Sequence, residues 1–154
     1  MGRLFGAALV FFLALSAPAG TRPCIFRVHL EANARDGEVF AQPIRSITGR
    51  TVFIEKIPWL SERDVQRFYP YRAADGSYGA LLELDDHGCT VLDSMSVEHR
   101  GSYLYVFING RPLTEFQVDR RVSDGKIYRA SGLTEADIKS MARDWKLIGG
   151  RKKK

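Results

Sequence analysis

The densest set of reactive side chains in the sequence is Leu84-Asp85-Asp86-His87-Gly88-Cys89. Carboxylate, imidazole and thiol are metal-ligand types, and a Cys–His pair is the core of a thiol nucleophile. A tetrahedral metal site usually draws a second pair of ligands from a distant part of the chain. The other two histidines, His29 and His99, stand isolated. The same residues also read as a helix start, with Asp85 or Asp86 as the cap and acidic side chains at the positive end of the helix dipole. No nucleophile elbow, phosphate-binding loop, dinucleotide fingerprint, HExxH or CxxC motif occurs. No catalytic residue, metal or cofactor is therefore assigned. A small exported hydrolase or metal-binding protein using the Asp-Asp-His-Gly-Cys cluster stands as an alternative reading.

A second candidate site lies in Ser102–Arg111, SYLYVFINGR. Asn109-Gly110 is a hairpin signal, because a type I′ turn needs positive φ at both central residues. The strand before it is apolar on both faces. Leu104, Val106 and Ile108 point one way, and Tyr103, Tyr105 and Phe107 the other. The aromatic face is either a second core layer or a surface waiting for a polypeptide or another ligand. Pro112 cannot donate to a ladder, so the returning strand, Leu113 to Val118, begins as an edge or at a bulge. Tyr105, Phe107, Asn109, Arg111 and Pro112 are the candidate binding residues.

The elements that must position these residues follow from periodicity. Residues 24–33 alternate Phe26, Val28 and Leu30 with Arg27, His29 and Glu31, the pattern of a half-buried strand. Strands are also expected at Val39–Ile44, Arg50–Ile57, Tyr78–Leu84 and Lys126–Ala130. Ser61 and Asp64 form a capping pattern stapled by Leu60 and Val65, which predicts a short helix over 62–68 ended by Tyr69-Pro70-Tyr71. Thr134 and Asp137 repeat that design with Leu133 and Ile138. Ile138, Met141, Ala142 and Trp145 then share one face of an amphipathic helix ended by Gly149-Gly150. The segment 86–99 fits helical spacing through Leu92, Met95 and Ser96, and fits strand alternation almost as well.

The chain has 154 residues, enough for one domain with a real core. Arg3, an apolar run and Ala17-Pro18-Ala19 form the pattern of a secretory signal peptide, 1–19, with cleavage expected after Ala19. The whole chain carries 23 basic and 18 acidic residues. The leader takes one base, Arg3, and the end of the chain holds four, Arg151, Lys152, Lys153 and Lys154. The body between is balanced, which offers no footprint for nucleic acid. The basic tail, 149–154, could touch an anionic membrane. Export makes a disulfide between Cys24 and Cys89 chemically possible.

From Gly88 onward the order of motifs is specific. Gly88, Cys89, Leu92, Ser96 and Gly101 lead into Leu104–Gly110, LYVFING, followed by Asp124-Gly125 and GLTEADIKSMA. This part of the chain, about 78 to 147, resembles the first periplasmic head domain of SecD, a subunit of the bacterial protein-export machinery. The resemblance implies an α+β fold over 24–148: a mostly antiparallel sheet with two or three helices packed on one side. It also implies that 87–99 is a helix and that Tyr103–Ile108 is the central strand. By this likeness the chain is a stand-alone exported head, in the periplasm or outside the cell. It would bind polypeptide or envelope proteins without enzymatic activity. Cys89, Ser96 and Asn109 replace the family's Ala, Thr and turn Asp. No later transmembrane helices or intramembrane carboxylate follow, so proton-driven translocation is not implied. A structural, envelope-associated protein is a further alternative.

Overall fold

The computed structural model describes residues 22–150. The leader over 1–19 and the bases Arg151 to Lys154 lie outside the described residues. The fold is α+β and mostly antiparallel, with its strands divided between two four-stranded sheets and a two-stranded ribbon.

The first sheet has the order β4-β1-β7-β8. β1 (Phe26–Leu30) lies between β4 (Leu60–Ser61) and β7 (Tyr103–Ile108), and β8 (Arg111–Gln117) forms the outer edge. The second has the order β10-β5-β6-β9. It contains β5 (Val65–Arg72), β6 (Tyr78–Leu84), β9 (Lys126–Leu133) and the two-residue β10 (Lys146–Leu147). Among the described residues only β10 and β5 run parallel. The ribbon pairs β2 (Ala41–Arg45) with β3 (Thr51–Glu55). The one-turn helix α1 (Gly37–Phe40) precedes it.

Two longer helices complete the core. α2 (Asp86–Glu98) buries Gly88, Leu92, Met95 and Ser96, so the helical spacing prevails over alternation. Gly88 is required by packing, since a Cβ there would stand 2.9 Å from the Leu84 Cβ and 3.0 Å from the Asp64 Cβ. α3 (Glu135–Asp144) buries Met141 and Asp137. Ile138 packs partly against the core, whereas Ala142 is exposed. The helix stops five residues before Gly149. Trp145 is its C-cap and is buried, and the chain then runs into β10. The Trp145 indole meets Phe26 of the first sheet edge-on at 6.4 Å and Phe68 of the second at 6.2 Å.

One expected helix is corrected. The Ser61–Asp64 capping box forms, but it closes a single 3-10 turn, Glu62–Asp64, and Val65 opens β5 instead. Val65 and Phe68 are buried along a strand that has a bulge between Val65 and Arg67, which imitates helical spacing. Pro70 is no stop signal. Phe68 accepts a hydrogen bond from Ile148 N on the β10 side, so Pro70, two residues on, turns its missing N–H toward the same edge beyond the end of β10.

Candidate functional site

The hairpin residues are tied to the fold. Asn109 has φ 49°. Its side-chain oxygen accepts from Ile25 N at 3.0 Å, and its amide donates to Asp137 Oδ1 at 2.8 Å. Arg111 pairs with Asp137 Oδ2 at 2.5 Å. Asp137 also accepts from the backbone N and hydroxyl of Thr134, both at 2.8 Å. Burial alone would raise the Asp137 carboxyl. The Thr134 and Asn109 hydrogen bonds and the Arg111 charge hold it below its ordinary value of 3.8 instead.

The aromatic stripe of β7 is similarly engaged. Tyr105 is 5% exposed, and Tyr103 and Phe107 are half-buried. His29 meets the Phe107 ring edge-on at 5.5 Å and donates from Nδ1 to the Glu55 carbonyl at 2.7 Å. Ala32 N bonds to the Phe53 carbonyl at 2.9 Å, and Glu31 bridges to Ile54. These bonds draw the β2–β3 ribbon to the end of β1, on the side of His29. The opposite face, Leu104, Val106 and Ile108, enters the main core. Pro112 sits opposite Phe107 on the edge strand β8, beside a bulge at Leu113.

The start of α2 gathers a different cluster from the one expected. Asp85 is the cap, accepting from Gly88 N at 2.8 Å. His87 binds Asp64 Oδ1 through Nδ1 at 2.7 Å, while Asp64 Oδ2 serves the Ser61 capping box. Asp64, Asp85 and His87 thus offer one ligand atom each within 4.8 Å of one another, a set that could hold a cation. Asp86 and Cys89 are not part of it. The Cys89 thiol faces the Leu84 carbonyl at 3.9 Å. Burial and the Asp86, Asp85 and Asp124 charges push its pKa up, the reverse of what a thiolate nucleophile needs. Cys24 and Cys89 are both free thiols in this structure.

A wide opening lies where two sheet edges converge. β8 ends the first sheet and β9 ends the second. Between them runs a groove of about 740 Å³, floored by Leu92 and Ile127 and walled by Phe116, Val122 and Tyr128. The connecting segment 118–125 is anchored, because Val122 N donates to the buried Ser96 hydroxyl at 2.8 Å and Val118 N to the Ser102 carbonyl at 2.9 Å. Alongside, the outer face of the second sheet carries Tyr69, Leu81 and Tyr128 in one cross-strand row. Tyr128 is 66% exposed, Tyr69 52%. The Tyr71 ring stacks on Tyr128 at 5.8 Å and lies over Gly79, where any Cβ would collide with it. Reading Tyr69-Pro70-Tyr71 as a helix stop hid this platform. Strand alternation after Phe68 would have revealed it.

The arrangement defines a class: a two-sheet α+β domain with an open, aromatic-rimmed groove between free strand edges. Among solved structures the chain is similar to the protein described in "Structure and function of a membrane component SecDF that enhances protein export", at TM-score 0.55 and 11% identity, covering 80% of this chain and 64% of that one. It is also similar to the crystal structure of SecDF in super-membrane-facing form, at TM-score 0.55 and 13% identity, over 80% of this chain and 19% of that one. The fold is thus SecD-like, and the chain spans less than two thirds of either structure. No family profile matches the chain, and no curated protein matches it. Among the described residues no helix is long and apolar enough to cross a membrane.

Proposed function

We propose that this chain is an exported, non-enzymatic SecD-like head that holds extended polypeptide of clients or envelope proteins outside the cytoplasm. The observation that carries the reading is the convergence of the free edges of β8 and β9 on one groove. An unpaired strand edge is a row of main-chain donors and acceptors, and an extended segment can satisfy them as an added strand. The aromatic rim then supplies contact area for its side chains. The binding region expected near the hairpin is kept only in part. Pro112 lies on the β8 edge, whereas the side chains of Asn109 and Arg111 are occupied by Asp137 and Tyr105 is packed. The leader pattern supports export, and the four terminal bases are the proposed point of contact with anionic lipid.

Titration of the protein with a labelled unfolded polypeptide tests this reading. Tyr128→Ala is expected to weaken binding by about tenfold, as loss of an exposed aromatic anchor does, with only a small fall in melting temperature from the lost stack on Tyr71. A client peptide methylated at alternate backbone nitrogens is expected not to bind. Absence of binding by the unmodified client, or full-strength binding by the variant and the methylated peptide, would overturn the proposal.

A further inference from the structure

We infer that the β8–β9 groove selects extended segments in which acidic and apolar residues share one face; the inference rests on the polypeptide-binding reading above. Three cations line the groove, Arg120, Arg121 and Lys126, against one carboxylate, Asp124. Arg121 is held bidentate by Asp93, at 2.5 and 2.6 Å. Asp124 accepts from Lys126 N at 3.2 Å. Directly opposite Lys126, on β6, stands Glu83, and it is paired with Arg67 at 2.8 Å. Arg120 and Lys126 have no ion-pair partner among the described residues, and both are exposed.

Register then sets the order of the client's side chains. Lys126 and Tyr128 are two apart on β9, so they lie on the same face of the strand, about 7 Å apart. A strand added along β9 sends alternate residues to that face. One of them meets the ammonium of Lys126, and the next meets the Tyr128 ring. The residues between turn inward toward Ile127, Phe116 and Val122, which accept apolar groups. The segment carrying Arg120 is pinned by Val122 and Val118, so its charge is placed before the client arrives.

Three synthetic peptides with one apolar frame and Glu, Gln or Lys at the outward polar position test this by fluorescence anisotropy. At low salt the Glu peptide is expected to bind about tenfold tighter than the Lys peptide, with Gln between. At ~1 M salt, where the screening length is about 3 Å, the three should converge. The double variant Arg120→Gln/Lys126→Gln should abolish the order at unchanged thermal stability. Equal binding of all three at low salt would overturn the charge preference and leave the polypeptide reading intact. So would an order that the double variant does not alter. If none of the peptides binds, the polypeptide reading falls with it.

Discussion

Two buried aspartates show how single residues organise this protein. Asp64 and Asp137 occupy the same place in two capping boxes, Ser61–Asp64 and Thr134–Asp137, and both are buried. In each, one oxygen closes the local box while the other reaches a distant element. Asp64 holds His87 at the start of α2, and Asp137 holds Asn109 in the β7–β8 turn. The Asp64 carboxyl also lies below its ordinary 3.8; burial would raise it, but Ser61 and His87 overcome that. Asp137→Ala opens the capping box at its N3 position and leaves Arg111 without its partner. It is expected to cost roughly 2–4 kcal/mol in urea denaturation. Because both carboxyls are depressed in the fold, their contribution is complete above about pH 4 and is lost as the pH falls through their folded values.

At the scale of elements, the β2–β3 ribbon is the piece whose attachment is most sensitive to conditions. It meets β1 through the His29–Glu55, Ala32–Phe53 and Glu31–Ile54 pairings. Burial, helped by the Arg27 charge and opposed by the Glu55 carbonyl, holds His29 below its ordinary 6.5. The unfolded chain therefore takes up this proton more readily than the folded one. Stability is complete above about pH 6.5 and declines as the pH falls toward the folded value. Amide exchange at Ala32, corrected for intrinsic rates, is expected to rise between pH 7 and 5 in the native protein. His29→Gln should remove that dependence. The ribbon also illustrates why a two-sided apolar strand such as β7 is ambiguous in isolation. Phe107 on its aromatic face meets His29 of β1, whose ring is held by Glu55 of the ribbon, and nothing local records that docking.

For the whole molecule, Trp145 is the joint between the sheets. It is 7% exposed, touches Phe26 and Phe68, and lies just past α3. Trp145→Ala is expected to cost about 3–5 kcal/mol, read as a lower midpoint by far-UV circular dichroism and by the fluorescence of the remaining Trp59. The sequence by itself determined the elements whose signals are local. Asn109-Gly110 marked the hairpin, Thr134 and Asp137 marked the start of α3, and the alternation around Phe26 to Leu30 marked β1. The motif order from Gly88 onward pointed to the SecD-like fold and to α2. The tertiary structure alone decided what those elements meet. It turned the Ser61 box into a single turn before β5, because pairing with β6 outweighs one capped turn. It brought Asp64 to His87 across 23 positions and opened the groove between β8 and β9. Capping, turns and periodicity act within a few residues and are written in order along the chain. Edge exposure and side-chain clusters depend on which strands become neighbours, a property of long-range packing that no local pattern carries.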